Sequence, residues 1–180
     1  MINSKWKKTS GSQGMNPWLP DYMADVYYLY FPVDTGSTNS TPESNNVEYW
    51  YTKYNGKPTL EQVKKDLYEL INHETDNRIL SSFVYIDPKG VNHSVWLSQE
   101  NQFNYSAAVN AAQMFGDAVL PQTFKFGTDE NLDLYTFTTK DELGQFFLKT
   151  LKHIQSCIEY GLSVKNSIDW DIYGKEAIHE

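Results

Sequence analysis

Two stretches of this chain restrict its fold more than any others: "ADVYYLYFPV", residues 24–33, and "VEYWYTKY", residues 47–54. Side chains of a strand alternate between its two faces, so Val26, Tyr28 and Tyr30 point one way and Tyr27, Leu29 and Phe31 the other. Neither face of the first strand is polar. A strand with one wet face is thereby excluded, and cover is needed on both sides. The rings continue around these strands: Trp18, Tyr22, Tyr27, Tyr28, Tyr30, Phe31, Tyr49, Trp50, Tyr51 and Tyr54 all fall within the first third of the sequence. With 13 Tyr, 9 Phe and 5 Trp the aromatic share is 15%, and Tyr and Trp suit surfaces with one dry side and one wet side.

Three uses fit such a concentration: an aromatic core, a protein–protein interface, or a glycan-stacking surface. The interface is the favoured expectation, because both faces of the first strand want cover and polar segments flank it. Its expected residues are Trp18, Tyr22, Tyr27, Tyr28, Tyr30, Phe31, Tyr49, Trp50 and Tyr51.

A length of 180 residues suits one main domain with an arm attached. Residues 1–16 are polar and read as a flexible N-terminal arm, and residues 17–57 as an aromatic β segment carrying the low-complexity loop "DTGSTNSTPESNN". Residues 58–180 read as the folded α+β body. A net charge of −8 argues against binding nucleic acid by phosphate neutralisation, and the basic cluster "KWKK" is read as solvating the arm. One cysteine, Cys157, leaves no internal disulfide framework and no zinc–cysteine cluster. "MINSKWKKTS" leads into no apolar run, so neither a signal peptide nor a membrane span is expected; synthesis in a reducing cytosol is.

Helix and turn signals order the body. Thr59-Leu60-Glu61-Gln62 is a capping box opening a helix with the stripe Leu60, Val63, Leu67, Leu70 and Ile71, expected to fade near Asp76-Asn77. "DPKG" turns a hairpin whose strand-like residues are Phe83, Tyr85, Val91, Val95 and Leu97. Ser98 caps a second helix with the stripe Phe103, Ala107, Ala111 and Met114, ended by Gly116. "LPQTFKFG" and "LDLYTFTT" form another hairpin across "GTDEN". Thr139-Lys140-Asp141-Glu142 is a second capping box, opening a helix with Leu143, Phe146, Phe147, Leu151, Ile154 and Ile158 on one side and Gly161 at its end. The tail "SIDWDIY" is expected to pack back. Hairpins between helices give the fold class α+β: a small antiparallel sheet from hairpins packed with about three helices, preceded by an extended aromatic β segment and arm.

Each chemical motif lacks a needed part. Asp34-Thr35-Gly36 has the letters of an aspartic protease, but that chemistry needs two aspartates sharing a proton, and no second copy occurs. A turn in which Asp caps and Gly takes positive φ explains it. "DENLD", from Asp129, spaces oxygens like a calcium loop, yet Leu134 and Lys140 stand where its Gly and Glu belong. His73-Glu74 resembles the start of a zinc-protease motif, but Asn77 replaces the second His. His93, His153 and His179 show no ligand spacing, and Cys157 has no visible His/Asn partner, so it reads as buried and inert. No catalytic residue, metal ligand or cofactor is assigned.

Residues 79–170 resemble a domain of unknown function carried by tailed-phage and prophage proteins. The likeness rests on Val95-Trp96-Leu97, Phe103, Phe124-Lys125-Phe126, Thr139, Glu142 and His153 in order. It implies a phage structural or accessory protein, associated with tail fibres or host attachment, and no catalytic residues. The resulting expectation is a non-enzymatic virion component of the tail, fibre attachment or head fibre. It would be homo-oligomeric and bound to other virion proteins, with no nucleic-acid, membrane or cofactor partner. A tail-fibre assembly factor and a host-glycan-binding module are the alternatives.

Overall fold

The computed structural model describes residues 5–13, 15–21, 23–33, 46–127 and 131–174. Mixed helices and small antiparallel sheets make it an α+β protein. The chain divides into two compact units, Met1–His73 with Ser167–Glu180, and Glu74–Asn166. The expected boundary near residue 57 is therefore not where compactness divides the chain. The split falls inside the first helix, and the tail from Ser167 belongs with the N-terminal unit.

The first unit is built on a four-stranded antiparallel sheet of β1 (Lys7–Ser12), β2 (Trp18–Asp21), β3 (Val26–Pro32) and β4 (Asn46–Asn55), in the order β1-β4-β3-β2. Residues 7–12, expected as flexible arm, thus form an edge strand, in backbone register with β4 from Lys7↔Tyr51 to Ser12↔Asn46. Lysines and small polar residues are what an edge strand tolerates, which is why composition alone reads them as an arm. At the other edge Pro20 lies in β2, where a missing N–H faces no ladder partner.

Register sorts the rings. Tyr27↔Tyr54, Leu29↔Thr52 and Phe31↔Trp50 share one face, and Trp18 pairs with Leu29. That face is the core of the unit: Trp18, Tyr27, Leu29, Trp50 and Tyr54 pack with Trp6, with Val63, Leu67 and Leu70 of the first helix, and with Tyr173. The first helix, α1 (Leu60–Ser81), begins with its capping box as expected: Thr59 Oγ1 accepts from Gln62 N and Gln62 Oε1 accepts from Thr59 N, each at 3.2 Å. Leu60 is more exposed than the rest of its stripe. The tail packs back as expected, Trp170 against Tyr68 and Tyr173 edge-on to Trp18 at 6.0 Å.

The second unit takes in the last turns of α1, which runs on past Asp76-Asn77 to Ser81. No Gly or Pro interrupts it there, and Ile79 gains burial against the unit's core. Two hairpins follow, β5 (Phe83–Ile86) with β6 (Asn92–Val95) and β7 (Gln122–Gly127) with β8 (Leu132–Phe137). Between them come α2 (Gln99–Phe115) and a 3-10 turn, Gly116–Val119; α3 (Lys140–Asn166) closes the unit and α4 (Asp171–Gly174) ends the described chain. Tyr85, Tyr105, Phe126, Phe137 and Phe146 form an aromatic core, with Phe146 edge-on to Tyr105 at 4.9 Å and to Tyr85 at 5.0 Å. Edge-to-face contact suits the ring quadrupoles and adds about 0.5–1.5 kcal/mol per pair beyond area burial.

Three expected helix features are corrected. On α2 the buried side is Tyr105, Ala108, Val109 and Ala112, whereas Phe103 and Met114 are 72% and 76% exposed. Apolar residues occur on both faces of that helix, so periodicity alone selects the wrong one. On α3 the expected Leu143 and Phe146 are buried and Phe147 and Ile154 pack against the core, but Leu151 and Ile158 point outward, and Thr150, Cys157 and Gly161 complete the buried side. Gly161 does not end α3 either: it is a close-approach position against Thr75 of α1, where any Cβ would collide with the Thr75 hydroxyl.

Candidate functional site

The functional candidate is the other face of the four-stranded sheet. Because β3 and β4 alternate, Tyr28 and Tyr30 point away from the core beside Lys53 and Tyr51, with Leu19 and Lys7 next to them on the edge strands. Tyr28 and Tyr30 stack at 6.4 Å and 26°, and Tyr30 and Tyr51 at 5.9 Å and 27°, so three half-buried rings form one ladder across two strands. Burial pushes the Tyr30 hydroxyl up from its ordinary pKa, and the neighbouring Tyr28 and Tyr51 add to this. It therefore stays protonated near neutrality and can both donate and accept.

Beside the ladder lies a cleft of about 400 Å³ lined by Lys5, Lys7, Tyr28, Tyr51, Thr52 and Lys53. The Lys5 ammonium is held by Asp66 and sits 4.6 Å from the Tyr54 ring centroid. The exposed Lys7 and Lys53 give this cleft a positive rim on an acidic chain. The arrangement can stack planar groups, share hydroxyl hydrogen bonds and attract carboxylates.

The nine expected interface residues separate by register. Tyr28, Tyr30 and Tyr51 lie together on this open face. Trp18, Tyr27, Tyr49 and Trp50 are buried within their own unit, so the expectation that they reach burial through a partner is corrected for these four. Trp18, Tyr27 and Trp50 face the α1 side, while Tyr49, on the ladder side, donates to Ser12 O at 2.9 Å where that segment folds over it. Phe31 is half-buried against the same core, and Tyr22 lies outside the described residues.

Two polar clusters in the second unit escaped sequence reasoning. His93 Nδ1 lies 2.6 Å from Asp133 Oδ2, joining β6 to a strand of the second hairpin, and its buried Nε2 lies 3.5 Å from Asp87 Oδ2, close to that carboxylate without a formed hydrogen bond. Burial pushes the Asp87 carboxyl up, but N–H donation from Val91 and Lys89, with His93, outweighs it and holds the group below its ordinary range. Tyr135 packs on His93 at 4.8 Å and donates to Glu142; burial and that carboxylate raise its pKa. The legible signal was alternation: in "NHSV" His93 shares a face with the buried Val95.

The second cluster unites Cys157 and His153, one helical turn apart, at 3.5 Å. Burial raises the thiol's pKa and lowers that of the imidazole, which favours the neutral form of both near pH 7. Among the described residues no His, Cys, Asp and Glu side chains are grouped to hold a metal ion, and no helix is long and apolar enough to cross a membrane. Asp34, Asp129 and His179 lie outside the described residues. No protein-family model, curated protein or solved structure matches this chain.

Proposed function

We propose that this chain is a non-enzymatic assembly protein whose tyrosine ladder docks a protein partner, and that it serves as an accessory or structural component of a tailed-phage virion. The observation supporting it is the ladder Tyr28–Tyr30–Tyr51, half-exposed on a sheet whose opposite face is already filled by its own core. Rings held by strand register lose little conformational freedom on binding, which is why Tyr dominates recognition surfaces. The lysine rim selects a partner surface carrying acidic side chains around an apolar centre. The phage assignment rests on the resemblance of residues 79–170.

Tagged wild type and a Tyr28→Ser/Tyr30→Ser/Tyr51→Ser variant, produced during infection, test it by mass spectrometry of purified particles. Stoichiometric recovery of the wild type and loss of the correctly folded variant support the reading. Equal recovery of both refutes the ladder as the docking surface; absence of both refutes a virion component.

A second reading has its own observation, the cleft in which Lys7 and Lys53 flank Tyr28 and Tyr51. Rings for stacking and ammonium groups for carboxylates would suit an acidic saccharide. Binding to a panel of acidic glycans that disappears in Tyr51→Ala would favour it over protein docking.

A further inference from the structure

We infer that α3 carries a second interaction surface, separate from the tyrosine ladder, and that its occupant is the α3 of a second copy of this chain, run antiparallel. The helix has 27 residues, about 40 Å at ~1.5 Å per residue. Roughly a third of a turn from its buried side lies a second apolar stripe, in which Leu148, Leu151, Ile158 and Leu162 are 44%, 48%, 46% and 52% exposed. With Gln155 these residues follow the alternating three-and-four spacing of a coiled-coil seam. The unit's own core uses none of them.

Three details select the occupant and its direction. Centred level with residue 153, an antiparallel pair sets Leu148 against Ile158 of the second copy, Leu151 against Gln155, and Leu162 against Gly144, each contact occurring twice by symmetry. Gly144 is the first detail. It lies inside α3, where glycine is disfavoured, and a Cβ there would meet nothing within 4 Å, so the chain's own packing gives no reason for it. Opposite the bulky Leu162 it has one. The second detail is charge. The same register brings Lys152 toward Glu159 of the second copy on the flank of the seam, five residues off level, and it does so twice, against a single approach of the two Lys152 side chains across the two-fold axis; a parallel pair would set Lys152 near Phe147 and Glu159 near Ile154 and offer no such pair. Gln155 is the third: its amide donates to Glu159 at 2.9 Å within its own helix, so it can lie over Leu151 of the second copy without leaving that donor unpaired.

The test is sedimentation equilibrium of the full chain over a wide concentration range, with circular dichroism confirming the fold of each variant. Wild type is expected to approach twice its 20.8 kDa mass. Leu151→Glu stays monomeric. Lys152→Glu and Glu159→Lys each weaken the dimer by about tenfold or more, and the double variant regains wild-type association because both pairs are restored in reverse. A wild type monomeric throughout, a dimer indifferent to Leu151→Glu, or a double variant no stronger than the single ones overturns the proposal. Dimerisation lost in the ladder variant and kept in Leu151→Glu also overturns it, and would place the self-contact on the sheet. Failure of the α3 pair leaves the ladder reading standing, since its own test reads particle incorporation.

Discussion

Tyr105→Phe should make this protein more stable, and more so as the solution becomes alkaline. Tyr105 is 1% exposed in the middle of the second unit's aromatic core, and its hydroxyl has no hydrogen-bond partner among the described residues. A buried hydroxyl without a partner carries a desolvation cost of about 1–3 kcal/mol. Phenylalanine keeps the edge contacts to Phe124 and Phe146 while removing that cost, so a gain of about 1 kcal/mol is expected at pH 7. Burial also pushes the Tyr105 pKa up to about 12. A phenol whose folded pKa is raised contributes stability that is fully present below the unfolded pKa of about 10 and is lost as pH climbs through the folded value. At pH 11 that loss amounts to about 1.4 kcal/mol, which the phenylalanine variant does not suffer. Guanidinium unfolding followed by far-UV circular dichroism at pH 7 and pH 11 gives both numbers, and the variant's lead should roughly double between them. A variant less stable than wild type at pH 7 would mean that the hydroxyl has a partner; a lead that does not grow with pH would mean that it titrates as if in water.

Gly161→Ala should destabilise by about 1–3 kcal/mol in thermal unfolding, despite alanine's better helix propensity, because its Cβ meets Thr75; adding Thr75→Ala should recover part of the loss. Tyr54→Phe removes a 2.6 Å donor to the buried Asp66 and should cost about 1.5–3 kcal/mol in urea, more than Tyr28→Phe on the open face. Asp87 is held below its ordinary pKa, so its stabilisation is present above the unfolded value and disappears as pH falls through the folded one. Wild type should therefore lose thermal stability more steeply than Asp87→Asn as pH falls below about 4, and parallel acid limbs would refute the hold of the turn on this carboxylate.

Local signals were legible wherever one element supplied its own evidence. Thr59 with Gln62 forms the expected capping box and Ser98 caps through Asn101; Thr139 accepts from Glu142 N, while the Glu142 carboxylate expected to close the second box accepts from Tyr135; "DPKG" turns as read, with Gly90 at φ 82°. Errors gathered where an element has two apolar faces and only tertiary context chooses between them. α2 carries Phe103, Ala107 and Met114 on one side and Tyr105, Val109 and Ala112 on the other; the bulkier exposed pair drew the expectation to the wet side. Gly161 has the letter of a helix stop and the role of a contact point, a difference visible only once Thr75 faces it. The aromatic strands were misread in a more useful way. The first unit's own helix and tail cover one face of the strands, and of the nine candidate residues Tyr28, Tyr30 and Tyr51 lie together on the other.

The ladder and the α3 seam differ in symmetry, and that difference bears on what each can build. An antiparallel helix pair is isologous: each copy uses the same patch, and the contact is complete at two copies. It cannot extend an assembly. The ladder carries no such self-complementarity, since Lys7 and Lys53 would face the same lysines of another copy, and like charges across an interface oppose pairing. On the docking function proposed above, a lysine-rimmed surface would suit a different, acidic partner. Copies joined through α3 would present two ladders to one assembly, so each additional ladder engaged adds effective concentration rather than new contact area. Removing the α3 pair should then weaken incorporation into particles without changing the affinity of a single ladder, whereas removing the rings abolishes both.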